Sequence, residues 1–159
     1  MEFELVNILK NKGLTISFAE SCTCGLLASK IGNVPGASSV FNESYVTYAN
    51  ASKMKILGVK CDTLENYGAV SWQTALEMSE GVRKISDSDI GIGITGIAGP
   101  GGGTKQKPVG LVYISIATDN KHIYEKCLFD GDRQSVRNQA TNKALRMIIN
   151  ILKGCNNND

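Results

Sequence analysis

A three-layer α/β/α sandwich built on a mixed sheet is the fold class this sequence predicts, on three observations. Apolar residues switch repeatedly along the chain between helical spacing and strand alternation, the mark of helices packed on a sheet. The apolar run 109–117 is followed by a turn at Asp119-Asn120 and a second strand pattern, which returns antiparallel and makes the sheet mixed. The 159 residues, 42% hydrophobic and 20% charged, suit one core, since a chain of about 150 residues buries roughly 68–70% of its unfolded surface. Residues 1–154 are read as a single domain and 155–159 as a frayed tail.

The elements follow in order. Leu5, Ile8 and Leu9 share a helical face and Gly13 supplies a stop, so residues 2–12 read as a short helix. Residues 14–19 read as a strand. The polar turn Glu20-Ser21-Cys22-Thr23 comes next, then a helix marked by Leu26, Leu27 and Ile31, with Thr23 as its expected cap. A second strand spans 41–48, and Asn50 is the expected cap of a helix through Leu57. Asp62 is expected to cap a short helix ending at Gly68. From Ser71 a longer helix carries Ala75, Met78, Val82 and Ile85 as a core-facing stripe. Ile90, Ile92 and Ile94 alternate with glycine as a strand, a glycine-rich loop covers 96–103, and strands at 109–117 and 122–129 form the hairpin. The apolar set from Val136 to Ile151 draws a terminal helix that opens at Asp132 and stops at Gly154.

Composition narrows the function. Lys+Arg 17 against Asp+Glu 15 gives a formal charge of +2, too balanced for nucleic acid or an anionic membrane to be the expected partner. No apolar run approaches the ~20 residues of a membrane span and the first residues lack a signal-peptide pattern, so a cytoplasmic location is expected. The sequons at Asn42 and Asn50 then carry no glycan. Five scattered cysteines without Cys-x-x-Cys read as free thiols, and no metal site or cofactor is expected. A small-molecule partner fits best.

Two phosphate motifs fail on context. Gly91-Ile92-Gly93-Ile94-Thr95-Gly96 matches G-x-G-x-x-G, but its glycines sit inside a strand and no helix follows, so they read as places where another backbone packs closely. The loop ending Gly103-Thr104-Lys105 has the wrong order for a P-loop. Lys105 and Lys107 read as loop charges.

His122, the only histidine, falls beside a hairpin turn and reads as a surface residue, which removes a Ser-His-Asp triad. Nucleophilic chemistry without histidine needs another base, and a desolvated lysine is one solution. Ser21 is the best-placed nucleophile. It lies between a strand end and a helix start, where free N–H groups can stabilise an oxyanion, although the same position also suits a plain turn or cap residue.

At this turn a resemblance becomes specific. Ala19-Glu20-Ser21-Cys22-Thr23 is similar to the A-E-S-C-T-G-G signature of the CinA C-terminal domain family, whose enzymatic members are nicotinamide-nucleotide amidohydrolases (PncC-like). Further motifs agree in the family's order: Val46-Thr47-Tyr48 with Asn50 and Lys53, Gly68-Ala69-Val70-Ser71, Thr95-Gly96-Ile97-Ala98-Gly99-Pro100, Lys107-Pro108-Val109-Gly110, and Gly131-Asp132-Arg133 with Val136-Arg137 and Gln139-Ala140-Thr141. One departure stands out: Cys24 occupies the first glycine of Gly-Gly, where a left-handed backbone would be strained by a Cβ and a close substrate approach crowded.

The resemblance implies deamidation of nicotinamide mononucleotide, with Ser21 as nucleophile and Lys53 and Tyr48 as the proton-transfer pair. It further implies substrate contacts from Thr23, Asn50, Thr95, Gly96, Arg133 and Arg137, the two arginines gripping the phosphate beside the N-terminus of the last helix. A free lysine near pKa 10.4 is a poor acceptor at neutral pH, so Lys53 is expected to be buried or beside a cation. The family also places this domain behind a molybdopterin-biosynthesis-like domain, which this sequence lacks, so an independent enzyme is expected over a non-catalytic nucleotide-binding or regulatory module. A nucleotide-binding transferase lacks its P-loop and acidic metal site. Assembly as a homo-oligomer is left open by the sequence.

Overall fold

The computed structural model describes residues 1–154; Cys155 and the segment 155–159, read as a tail, lie outside them. In chain order the elements are α1 (Glu2–Lys12), β1 (Ile16–Glu20), α2 (Leu26–Gly32), a 3-10 turn (Ala37–Ser39), β2 (Phe41–Val46), α3 (Asn50–Leu57), α4 (Cys61–Tyr67), α5 (Trp72–Ile85), β3 (Ile90–Gly96), β4 (Leu111–Ala117), β5 (His122–Leu128) and α6 (Arg133–Lys153). The sheet runs β2-β1-β3-β4-β5. β1 is parallel to both β2 and β3, whereas β4 lies antiparallel to β3 and to β5. The three-layer α/β class with a mixed sheet is therefore the observed one.

Helices cover both faces. α1, α2 and α6 enclose the larger core, which includes Leu5, Leu9, Phe18, Leu27, Ile31, Ile92, Ile114, Val136, Ala140 and Ile148. On the opposite face Ala19, Leu57, Val59, Met78 and Val82 form a second cluster beneath α3 and α5. β1, central in the sheet, is buried along its whole length. The β3 glycines have a steric reason: a Cβ on Gly91 would lie 2.1 Å from the Ser79 carbonyl oxygen, and one on Gly93 would lie 2.4 Å from that of Ala75. Their absence lets the α5 backbone lie directly on the strand.

Several boundaries differ from expectation for identifiable reasons. Ile85 is 45% exposed, because ten residues at about 100° each turn it about 80° off the direction of Ala75. β2 stops at Val46 because the Thr47 and Tyr48 carbonyls turn to meet a side chain of α3. Asn50 is the first residue of α3, whose cap position is Ala49 without a side-chain bond, and Asp62 lies in the first turn of α4, capped at Lys60. Ser71 and Asp132 do cap α5 and α6, accepting from the N–H groups of Thr74 and Ser135. Among the described residues no helix is long and apolar enough to cross a membrane.

Candidate active site

The parallel strands β1, β2 and β3 end at one edge of the sheet, and the chain leaves β1 and β2 toward opposite faces, through α2 and through α3–α5. The gap between the ends of β1 and β3 is thus a topological switch point, where open α/β sheets bind ligands. A cleft of about 270 Å³ lies there. Ser21, Tyr48, Lys53, Thr95, Gly96 and Arg133 line it, with Cys22, Ala69, Val70 and the 97–102 loop.

Ser21 follows the last residue of β1 directly, and its N–H donates to the Ile94 carbonyl of β3 (3.0 Å), which fixes it to the sheet. Lys53, in the first turn of α3, is only 1% exposed. Its Nζ donates to the carbonyls of Thr47 (2.7 Å) and Tyr48 (3.0 Å) and lies 3.1 Å from Ser21 Oγ. Burial away from water holds the Lys53 ammonium below the ordinary lysine range. The carbonyls can only accept. A neutral amine therefore gives them its two N–H groups and leaves its lone pair for the remaining neighbour, the Ser21 hydroxyl. That is the arrangement of a base poised on a nucleophile.

Other expected residues sit differently. The Tyr48 side chain is 54% exposed. Its hydroxyl accepts from Arg133 Nη2 (2.9 Å), so only the Tyr48 main chain meets Lys53. Arg133 also donates through Nη1 to the Gly99 carbonyl (2.9 Å) and stands on the cleft wall. Arg137 does not line the cleft; its Nε and Nη2 donate to the carbonyls of Cys22 (3.1 Å) and Thr23 (2.9 Å), clamping the turn that carries Ser21 to α6. Asn50 is exposed and away from the cleft lining, and Thr23 is wholly buried outside it. Thr95 donates to the Ala69 carbonyl (2.8 Å), tying β3 to the segment before α5. At Gly96 a Cβ would lie 2.7 Å from the Leu111 carbonyl oxygen, so this glycine is required by strand packing.

Two features escape the sequence reading. Glu20, fully buried, accepts from the N–H groups of Leu27 (3.1 Å) and Ala28 (2.9 Å). It, not Thr23, caps α2, and it satisfies two of that helix's first-turn N–H groups. The sequence signal is only a carboxylate immediately before a turn that opens a helix. Cys22 borders Ser21 in the cleft, and burial pushes its thiol up to about 12, so the neutral form holds at neutral pH and no thiolate competes with Ser21. Cys24 has φ 51, the left-handed backbone that its departure from Gly-Gly raised as an issue, but it does not line the cleft.

A buried lysine and a serine thus meet in the switch-point cleft of an α/β sheet. The chain belongs to the CinA C-terminal domain family, which it matches over residues 1–152. A CinA-like protein of Kosmotoga olearia is 52% identical over 152 residues, covering 96% of this chain and 37% of that protein. The solved structure of competence/damage inducible protein CihA from Agrobacterium tumefaciens superposes with TM-score 0.91 at 38% identity, covering 96% of each chain. A competence-damaged protein (CinA) superfamily protein from Escherichia coli gives TM-score 0.91 at 33% identity over 94% of this chain and 87% of that one. The chain spans little more than a third of the length of the curated relatives it matches.

Proposed function

We propose that this chain is an amidohydrolase that converts nicotinamide mononucleotide to nicotinate mononucleotide and ammonia. The observation that carries the reading is the buried Lys53 amine 3.1 Å from Ser21 Oγ with two carbonyls fixing its orientation. The substrate class rests on the resemblance of the site motifs to the nicotinamide-nucleotide amidohydrolases.

In this reading neutral Lys53 takes the Ser21 proton as Oγ attacks the carboxamide carbon. The tetrahedral oxyanion collapses, the C–N bond breaks, and Lys53 returns the proton to the departing ammonia. Water, deprotonated by the same amine, then cleaves the acyl-enzyme and regenerates Ser21. The Cys22 N–H group, which donates to no acceptor within the described chain and belongs to a residue lining the cleft, is the candidate oxyanion donor, of a kind worth about 10²–10³ in rate. Tyr48 contributes its carbonyl to Lys53 and its hydroxyl to Arg133, a positioning role.

The test is ammonia release from metal-free protein supplied with nicotinamide mononucleotide. Wild type should release it, and Ser21→Ala should not while keeping the same circular dichroism spectrum. A folded wild type that releases none, or a Ser21→Ala protein as active as wild type, would remove this reading.

A further inference from the structure

The turn after β1 is a run of three peptide planes, each held from a different place. In a trans peptide the C=O and the following N–H share one plane and point in opposite directions, so fixing one end fixes the other. The first plane joins Ser21 to Cys22. Its carbonyl accepts from the Cys24 N–H (3.0 Å), and its other end is the N–H of Cys22, which lines the cleft. The second joins Cys22 to Thr23, and its carbonyl accepts from Arg137 Nε (3.1 Å). The third joins Thr23 to Cys24. Its carbonyl accepts from Arg137 Nη2 (2.9 Å) and from the Leu26 N–H (3.2 Å), and its N–H is the donor that holds the first plane.

The direction of the Cys22 N–H therefore descends from α6 in two steps: Arg137 sets the Thr23–Cys24 plane, and that plane sets the Ser21–Cys22 plane. The turn has little else to hold it. The Thr23 hydroxyl is buried without a hydrogen-bond partner in the described chain, and Cys24 sits at φ 51, a left-handed conformation that a residue with a Cβ adopts at a cost. The clamp is also charged. Guanidinium is permanently ionised, and here it meets only neutral acceptors, the two carbonyls and Gln134 Oε1 (3.2 Å). Hydrogen bonds in series polarise one another. A positive charge on the Thr23 carbonyl makes the Cys24 N–H a stronger donor to Ser21 O, and that bond makes the Cys22 N–H a stronger donor in its turn.

We infer that Arg137 is a positioning residue for the oxyanion donor: from behind the cleft it orients and polarises the turn so that the Cys22 N–H meets the oxygen that gains charge when Ser21 attacks. This rests on the proposed acyl transfer for its role and on the chain of hydrogen bonds for its existence. It gives Arg137 a kinetic signature unlike that of a phosphate ligand. A donor aimed at developing charge acts in the transition state, whereas a grip on a remote phosphate acts in the ground state as well.

Two substrates separate these roles. p-Nitrophenyl acetate carries no phosphate, and its acylation of Ser21 is read as p-nitrophenolate release that Ser21→Ala lacks. Arg137→Ala should lower this rate about 100-fold, the scale of one oxyanion donor, and should lower kcat for nicotinamide mononucleotide equally with KM unchanged. Arg137→Lys keeps a charge but cannot fork to both carbonyls, and should lose about tenfold. Both variants should keep the rising limb of the rate–pH profile at the wild-type pH, since the carbonyls that hold Lys53 are untouched. Should Arg137→Ala fail to fold by circular dichroism, Arg137→Lys carries the test. A folded variant with the wild-type ester rate, or a raised KM for the nucleotide with kcat unchanged, overturns the inference, and the second result returns Arg137 to the phosphate. An ester rate that falls in the variants, with no ammonia released by wild type from the nucleotide, upholds the positioning role and removes the amidase. Ammonia release from wild type, with kcat unchanged in the variants, does the reverse. A wild type inert to both substrates overturns both.

Discussion

Lys53 holds a titratable amine where water cannot solvate its charge. Its lowered pKa means that the neutral base is populated at a lower pH than in a free lysine, so activity should rise as pH climbs through that lowered value. The stability sign follows separately. Between the folded pKa and the unfolded value of about 10.5 the unfolded chain binds more protons, so stability should also rise with pH across that window. Lys53→Arg keeps the charge and loses the base, because guanidinium stays protonated above about pH 12. It should therefore lose activity nearly as fully as Lys53→Ala, with no rising limb in the rate–pH profile. Wild-type turnover from Lys53→Arg would reduce Lys53 to an electrostatic contact. Cys24 offers a stability prediction. Left-handed strain of roughly 1–2 kcal/mol, less the 0.5–1 kcal/mol that glycine loses in unfolded-state entropy, predicts that Cys24→Gly stabilises by about 0.5–1 kcal/mol in urea denaturation.

At the scale of elements, α2 depends on Glu20. Removing the carboxylate by Glu20→Ala strands two N–H groups at the head of a seven-residue helix, and should cost roughly 2–4 kcal/mol by chemical denaturation. Glu20→Gln, which retains one acceptor oxygen, should cost about half as much. Helices and strands were legible wherever period and stop signals coincided, as at Gly13, Ser71, Asp132 and Gly154. Caps were less legible. Asn50 and Asp62 have the right chemistry, but the backbone enters each helix one residue or two earlier, and the α2 cap comes from seven and eight residues upstream through a turn that no local pattern displays. The site showed the same division. Ser21 and Lys53 were found through their motif context, whereas Arg137 reads like a phosphate ligand until the carbonyls 115 and 114 residues away occupy it.

At the scale of the whole molecule, the proposed nucleophile and the proposed base are held by the ends of different strands. Ser21 extends β1, which has neighbours on both sides, whereas Lys53 and the carbonyls that orient it follow β2, which pairs with β1 alone. That pairing also contains an irregularity between Ile16 and Phe18, and β2 itself has no fully buried residue. Strand margins of this sort open at free energies below that of global unfolding. Heating should thus detach Lys53 from Ser21 while the central strands persist. Residual activity should vanish several degrees below the circular dichroism midpoint, and amide hydrogens of β2 should exchange sooner than those of β1 and β3. Coincidence of both transitions would mean that β2 melts only with the rest. If they separate, the protein has a built-in thermal fuse, whose set point lies in an edge strand and not in the core.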